Sequence, residues 1–341
     1  MAKLNGKIYS KIELQKYCPS MDQIASVTKT VCEDGKASDL RLYSVKTGGG
    51  LEFQVLPSRC LDIASLSYKG VNISYLTKNS LVGPNHLIPI GTEFFNYMIG
   101  GMLFTCGLRN VGGSCIDDDK FHPFHGKIGI TPSENTSVNC YWDQDDYVMD
   151  VCGTMHETSI FDYNLSLSRK ISSKLGGTEI VITDVIENHS NRDEEFMFLY
   201  HFNFGFPFID ESTKLIYPKS FLTARNESSQ KVIEDCEKIT KPVDNIDEYV
   251  YFRDVSTEDG FVSVKLENPE LKIGVCLKYE KKNLPNLAQW KMMRSGDYVI
   301  GIEPCNNFIH GRHDERENGT LLKIPSYSKL EYKLNLSFYD L

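Results

Sequence analysis

Residues Phe198–Pro207 read FLYHFNFGFP, and their alternation decides the fold class. Phe198, Tyr200, Phe202, Phe204 and Phe206 share one parity, while Leu199, His201, Asn203 and Gly205 share the other. Successive side chains of a β-strand point to opposite faces. The stretch therefore predicts a strand with five aromatics on a core face and a histidine and an amide, two residues apart, on the other. A core that takes five rings from one strand needs many strands to cover it. Leu51, Phe53 and Val55 alternate with Glu52 and Gln54. Runs of the same kind reach from Leu271 to Tyr279 and from Leu330 to Phe338. Turn signals separate them at Asp34-Gly35, Gly48-Gly49-Gly50, Gly176-Gly177 and Asn268-Pro269. Short strands with regular turns predict an all-β protein, a large antiparallel sandwich, with residues 1–341 as one domain. One short helical segment is expected at about residues 10–18, where Ser10 and Glu13 form a capping box ahead of Cys18-Pro19. The polar stretch Asn226 to Tyr249 reads as a surface excursion.

Composition narrows the function classes. A net charge of −9 argues against nucleic acid and anionic membranes as partners. No apolar run approaches the ~18 residues of a membrane helix, and MAKLNGKIYSKIEL lacks the apolar core of a signal peptide, so the expected location is the cytoplasm. The ten cysteines stand singly with no CxxC pair, as free thiols in a reducing compartment would. Neither GxGxxG after a strand nor GxxxxGK[ST] is present.

Several segments carry residues able to do chemistry. A lone strand histidine such as His201 is often a packed core group, but Asn203 beside it on the same face makes two polar groups that need partners if buried. A rigid strand presenting both suits a binding site. Glu303 shares a face with Val299 and Gly301, and a carboxylate at the end of an apolar strand is costly to bury unless paired or used. Gly301 leaves room for a ligand to approach. His122 and His125 lie three apart, as do His310 and His313 with Asp314 adjacent. These spacings make a poor first shell for a metal, and none is expected. LPSRCLDI places Arg59 and Asp62 at a strand–turn–strand junction, and GGMLFTCGLRNVGG places Arg109-Asn110 among glycines.

In order along the chain, Arg109-Asn110, His125-Gly126, His201-Phe202-Asn203 and Glu303 resemble the pattern of the aldose 1-epimerase (galactose mutarotase) superfamily, in its divergent branch of unassigned substrate. That pattern has an Asn-Arg pair where this chain has Arg-Asn, and the family's usual aspartate has no clear counterpart here, Asp254 being a poor one. The resemblance covers the chain from about Leu51 onward. It implies a β-supersandwich and an isomerase that interconverts sugar anomers without metal or organic cofactor. Glu303 would be the base and His201 the acid, about a pyranose width apart, roughly 5–7 Å, so that each meets its own proton. Ordinary pKa values of ~4.3 and ~6.5 would leave Glu303 ionised and His201 partly protonated at neutral pH. His125, Arg109, Asn110 and Asn203 would hold sugar hydroxyls, and Arg59, in a motif typical of the divergent branch, would reach the site.

Two other readings stay open. The same pocket could belong to a carbohydrate-binding or sensing protein without turnover, although a binder has no need of an acid facing a base. Alternatively the enzyme could act on a phosphorylated or acidic sugar, with Arg59, Arg109, Lys291 and Arg312 as anion ligands. A metal-dependent enzyme using His122, His125, His310 and His313 is a distant third. The expected partner is a small sugar, and the chain could be a monomer or a homodimer.

Overall fold

Alternation along each strand gives this chain two apolar faces to bury, and it buries them against each other. The computed structural model describes residues 1–4, 6–257 and 259–341. An eight-stranded antiparallel sheet runs Glu134–Asp143, Asp146–Thr158, Asn164–Lys174, Glu179–Asn188, Lys329–Asp340, Ile273–Glu280, Phe261–Asn268, Lys214–Ile216. Two short two-stranded ribbons, Ala2–Leu4 with Lys7–Tyr9 and Cys115–Asp117 with Lys120–His122, stand apart, and a twelve-stranded sheet faces the eight-stranded one. Its main strands are β1 (Ser26–Val31), β2 (Arg41–Lys46), β3 (Leu51–Leu56), β4 (Asp62–Tyr68), β5 (Leu103–Leu108), β6 (Glu194–Gly205), β7 (Ser220–Ala224), β8 (Tyr249–Val255), β9 (Asn286–Arg294) and β10 (Asp297–Cys305), in the order β7-β8-β9-β10-β6-β5-β4-β3-β2-β1.

The FLYHFNFGFP stretch is the second half of β6, in the middle of the larger sheet. Phe198, Tyr200, Phe202 and Phe204 are fully buried between the sheets. Phe198 meets Tyr332 of the smaller sheet at 5.3 Å between ring centroids. The fifth aromatic departs from expectation: β6 stops at Gly205, and Phe206 is 69% exposed in the turn beyond. Burying four rings of this kind contributes roughly 1.5–3 kcal/mol each before ordering costs are counted, so β6 is held firmly from behind.

Polar groups also link the sheets. Arg169, on Asn164–Lys174, grips Asp184 through Nε (2.9 Å) and Nη2 (2.7 Å) and donates through Nη1 to Asp62 at 2.8 Å. Asp184 accepts from Tyr200 and Asp62 from the backbone of Thr105, so one buried cation serves two buried carboxylates.

A helix, Lys11–Tyr17, starts at Ser10 with the capping box to Glu13 formed in full. The polar stretch after Asn226 does more than skirt the surface. Carbonyls of Asp235, Cys236, Lys238, Thr240 and Ile246 accept hydrogen bonds from Lys291, Gln289, Tyr298 and Arg294, which fastens it to the sheet. Among the described residues no helix is long and apolar enough to cross a membrane, and all ten cysteines are free.

Candidate functional site

The second face of the larger sheet carries a smaller apolar cluster that includes Phe104 and Cys106 of β5, Leu199 of β6 and Cys305 of β10. Residues Leu76 to Met98 contribute Val82, Phe94, Tyr97 and Met98 to it and so cover this face. On it lie His201, Asn203 and Glu303. The β6–β10 register pairs Leu199 with Cys305 and Phe202 with Ile302, which sets His201 opposite Glu303. Opposed Cβ atoms stand ~4.5–5.5 Å apart, and here His201 Nε2 lies 3.2 Å from Glu303 Oε1. The two groups touch, closer than the expected pyranose width. They are close without being aligned: Glu303 Oε1, His201 Nδ1 and Asn203 Oδ1 are all buried and have no hydrogen-bond partner.

Gly301 makes the contact possible. A Cβ built there would stand 2.7 Å from Glu303 Oε1 and 3.3 Å from His201 Cε1. The space read from sequence as room for a ligand is taken up by the carboxylate itself.

His125 completes the group from a loop. Its backbone is left-handed (φ 54°), its N–H donates to Gly112 and its carbonyl accepts from Gly107. The Gly112 N–H donates back to Nδ1 at 3.3 Å, leaving the proton of the neutral ring on Nε2. The His125 and His201 ring centroids are 6.0 Å apart. Phe94 packs on His125 at 5.4 Å and Trp290 on His201 at 5.4 Å. Trp290 Nε1 donates to Glu248, which also pairs with Arg225 at 3.0 Å.

Burial sets the protonation, and it reverses the expected charges. It raises Glu303 to about 8; Glu248 adds to the rise and Arg225 opposes it. His201 is pushed down to about 4 by the same cause, with Asn203 pulling the other way. His125 falls well below its usual range through burial, then His201 and Arg225. At neutral pH the pair is a carboxylic acid beside a neutral imidazole, because a dry site penalises both charges.

Of the other residues singled out in the sequence, Asn203 alone joins this group. Lys291 neighbours Trp290 on β9, so its side chain leaves by the opposite face, where it donates to the carbonyls of Asp235 and Lys238. Arg109 pairs with Glu194 at 3.0 Å and lies over the Tyr163 ring. Glu194 is seven residues before His201 on β6, on the order of 20 Å along the strand at ~3.3 Å per residue. Asn110 braces the loop: its amide donates to Gly113 and Pro123, and its oxygen accepts from Arg312. Arg312 is spent on Asp117 and Glu195. Arg59 is buried against the covering segment, with Nη1 on the carbonyls of Val82 and Tyr97. Asn203 lies in the group, its amide donating to Gly101 and its oxygen free. Asp254 is exposed and pairs with Lys281.

The four histidines of the metal reading do not converge: His125 belongs to the group above, and the other three lie apart. His310 stacks with Phe308 beside Phe252, at a cleft of about 290 Å³, and His313 is exposed near Asp117. His122 lines a different depression, beside Arg109 and Asp117. Among the described residues one carboxylate cluster has ligand-like spacing, Asp117, Asp118 and Glu195, and its members are paired with Arg312 and Arg316. Sequence reasoning missed Trp290, Phe94, Arg225 and Glu248. None carries a local signal, since each reaches the group by strand register or by chain folding over the sheet.

Solved structures share this architecture. A Klebsiella pneumoniae protein provisionally assigned as an aldose 1-epimerase superposes with a TM-score of 0.89 at 20% identity, over 94% of this chain and 86% of that one. A galactose mutarotase-like protein from Clostridium acetobutylicum gives 0.64 at 15%, over 94% and 100%. Galactose 1-epimerase from Lactobacillus acidophilus gives 0.58 at 12%, over 93% and 99%. At these identities the likeness is one of fold: the chain has the galactose mutarotase-like β-supersandwich. No curated protein matches it in sequence. Residues 37–338 match one family along almost their whole length, and the chain belongs to that family, described as a domain of unknown function, DUF4432.

Proposed function

We propose that this chain is an aldose 1-epimerase-like isomerase that interconverts sugar anomers, with Glu303 and His201 moving the protons. The observation that carries this reading is the set of unpartnered polar atoms on two neighbouring strands: Glu303 Oε1, His201 Nδ1 and Asn203 Oδ1. Buried polar groups are seldom left unpaired, and three on one face match a ligand rich in hydroxyls.

Ring opening takes the proton from the C1 hydroxyl, forms the C1 carbonyl, breaks the bond from C1 to the ring oxygen and protonates that oxygen. Both oxygens are bonded to C1, so an acid and a base in contact can address the two together. In the neutral pair, His201 takes the anomeric proton and Glu303 gives its own to the ring oxygen. Rotation about the bond from C1 to C2 turns the other carbonyl face to the oxygen. Closure then runs the transfers backwards, each group now doing the other's work. His125, with its proton on Nε2, is a donor to sugar oxygens. These roles are the reverse of those implied by the resemblance, which makes Glu303 the base and His201 the acid, but the requirement of one proton per pair is the same.

That requirement fixes the pH dependence. Below about 4 both groups hold a proton and no base remains; above about 8 neither does and no acid remains. Anomer exchange is expected to follow a bell between these limits, whose limbs belong to the pair and not to either residue. The rate measured by saturation-transfer NMR from pH 3.5 to 9.5 checks this, and a profile rising steadily across the range overturns it. The activity itself is tested by the same measurement over a panel of aldoses. At least one should exchange faster than in buffer; a sugar that binds without acceleration would make the chain a binding protein.

A further inference from the structure

Among the described residues five arginines are buried: Arg59, Arg109, Arg169, Arg253 and Arg312. Four are neutralised, by Glu194, by Asp62 and Asp184, by Glu237, and by Asp117 with Glu195. Arg59 is the exception among the described residues. It is 1% exposed, and the hydrogen bonds of its guanidinium are the two from Nη1 to the carbonyls of Val82 and Tyr97, both 3.1 Å. Asp62, three residues on, is turned onto Thr105 and Arg169. Arg59 Nε and Nη2 have no partner.

Those two nitrogens share one edge of the guanidinium plane, and their N–H bonds run side by side. With this edge Arg169 holds both oxygens of Asp184, and Arg316 holds both oxygens of Asp117. In Arg59 the same fork is made, buried and empty-handed. Asp62 acts on Arg59 from a distance but no carboxylate pairs with it; a buried guanidinium without an ion pair is costly, and the fork matches two oxygens of one carboxylate or phosphoryl group.

We propose that Arg59 is the anion subsite of the sugar site: it takes, side-on, the carboxylate or phosphate carried by an acidic aldose. This rests on the epimerase reading and names its substrate class. Placement supports it. Arg59 follows β3, and β4 and β5 stand between it and β6, a span on the order of 10–15 Å at ~4.8 Å per strand before the arginine's own reach is subtracted. Tyr97, whose carbonyl it holds, lies in the same short helix as Phe94, which packs on His125. One short helix therefore touches both Arg59 and His125.

The test is calorimetric titration of the wild type with glucose, glucose 6-phosphate and glucuronate, repeated on Arg59→Gln and Arg59→Lys. One of the two anionic sugars should bind at least tenfold tighter than glucose, and which one does identifies the group. Arg59→Gln should bring that sugar down to the affinity of glucose. Arg59→Lys, which keeps charge but loses the fork, should fall between. Equal affinities in the wild type, or a preference that survives Arg59→Gln, overturn the proposal, and the first of these needs no variant to fold. Binding is read without turnover. Anionic preference with no anomer exchange leaves this inference standing and removes the epimerase activity; exchange of neutral aldoses with no preference does the reverse.

Discussion

Glu303→Gln and His201→Asn are each expected to slow anomer exchange by a factor of roughly 10² to 10⁴, the usual worth of a general acid or base. Both removals break the same proton circuit. Glutamine keeps the shape of Glu303 but cannot release or take a proton, and asparagine leaves nothing at the position of the imidazole to accept one. Because the groups work as a unit, the double variant should be little slower than either single one. Folding should survive. Glu303 is already neutral in the folded protein near pH 7 because burial raises it to about 8, so an uncharged amide replaces an uncharged acid. The measurements are exchange rate by saturation-transfer NMR and melting temperature, on each single variant and on the double. Two single variants at the wild-type rate would remove the mechanism. Effects that multiply in the double would show that the groups act separately.

Arg169→Met is expected to cost about 3–5 kcal/mol of stability, the typical loss when one partner of a buried ion pair is removed. The change leaves Asp62 and Asp184 buried without their cation; Arg169 ties the smaller sheet to Asp62 of the larger, and Asp184 ties it to Tyr200. The sign of its pH dependence follows. Burial already raises Asp62 to about 6 with Arg169 opposing the rise; without that cation it resists ionisation further, so the loss should be smaller at pH 5, where it takes up a proton, than at pH 8. Adding Asp62→Asn and Asp184→Asn to Arg169→Met should restore much of the stability by removing the stranded charges. Urea unfolding of the three proteins at both pH values checks all of this. A loss below ~1 kcal/mol, the range of surface pairs, would mean that the network is not a structural tie.

The strands were legible because period-2 alternation is local: FLYHFNFGFP contains the evidence for its own two faces. The companionship of His201 and Asn203 came with it. Glu303 could be suspected from its apolar strand, but its contact with His201 depends on a register between strands a hundred residues apart. Lys291 shows how narrow the margin is. It lies next to Trp290, which is in the group, and one step along a strand changes the face. Arg59 sits in a turn, where alternation lapses and sequence gives no direction. Arg109 has the right neighbours in sequence, yet pairing with Glu194 carries its guanidinium to the far end of β6. Phe206 marks the opposite limit: the alternation continued in the letters after the strand had ended. The charges on the pair were least legible of all, because they come from burial by segments distant in the chain.

Gly301 can serve as a marker for sorting relatives of this protein. The contact between Glu303 and His201 occupies the place where any other residue would put its first side-chain carbon. A relative that keeps the acid and the imidazole but carries a larger residue at the matching position must hold its carboxylate elsewhere, and under the proposed mechanism its proton circuit is interrupted while the asparagine and histidine remain. Under that mechanism such a chain would be a candidate sensor or carrier. A single codon change at 301, alanine being the smallest step, is thus a short mutational path by which this fold could pass from turnover to recognition.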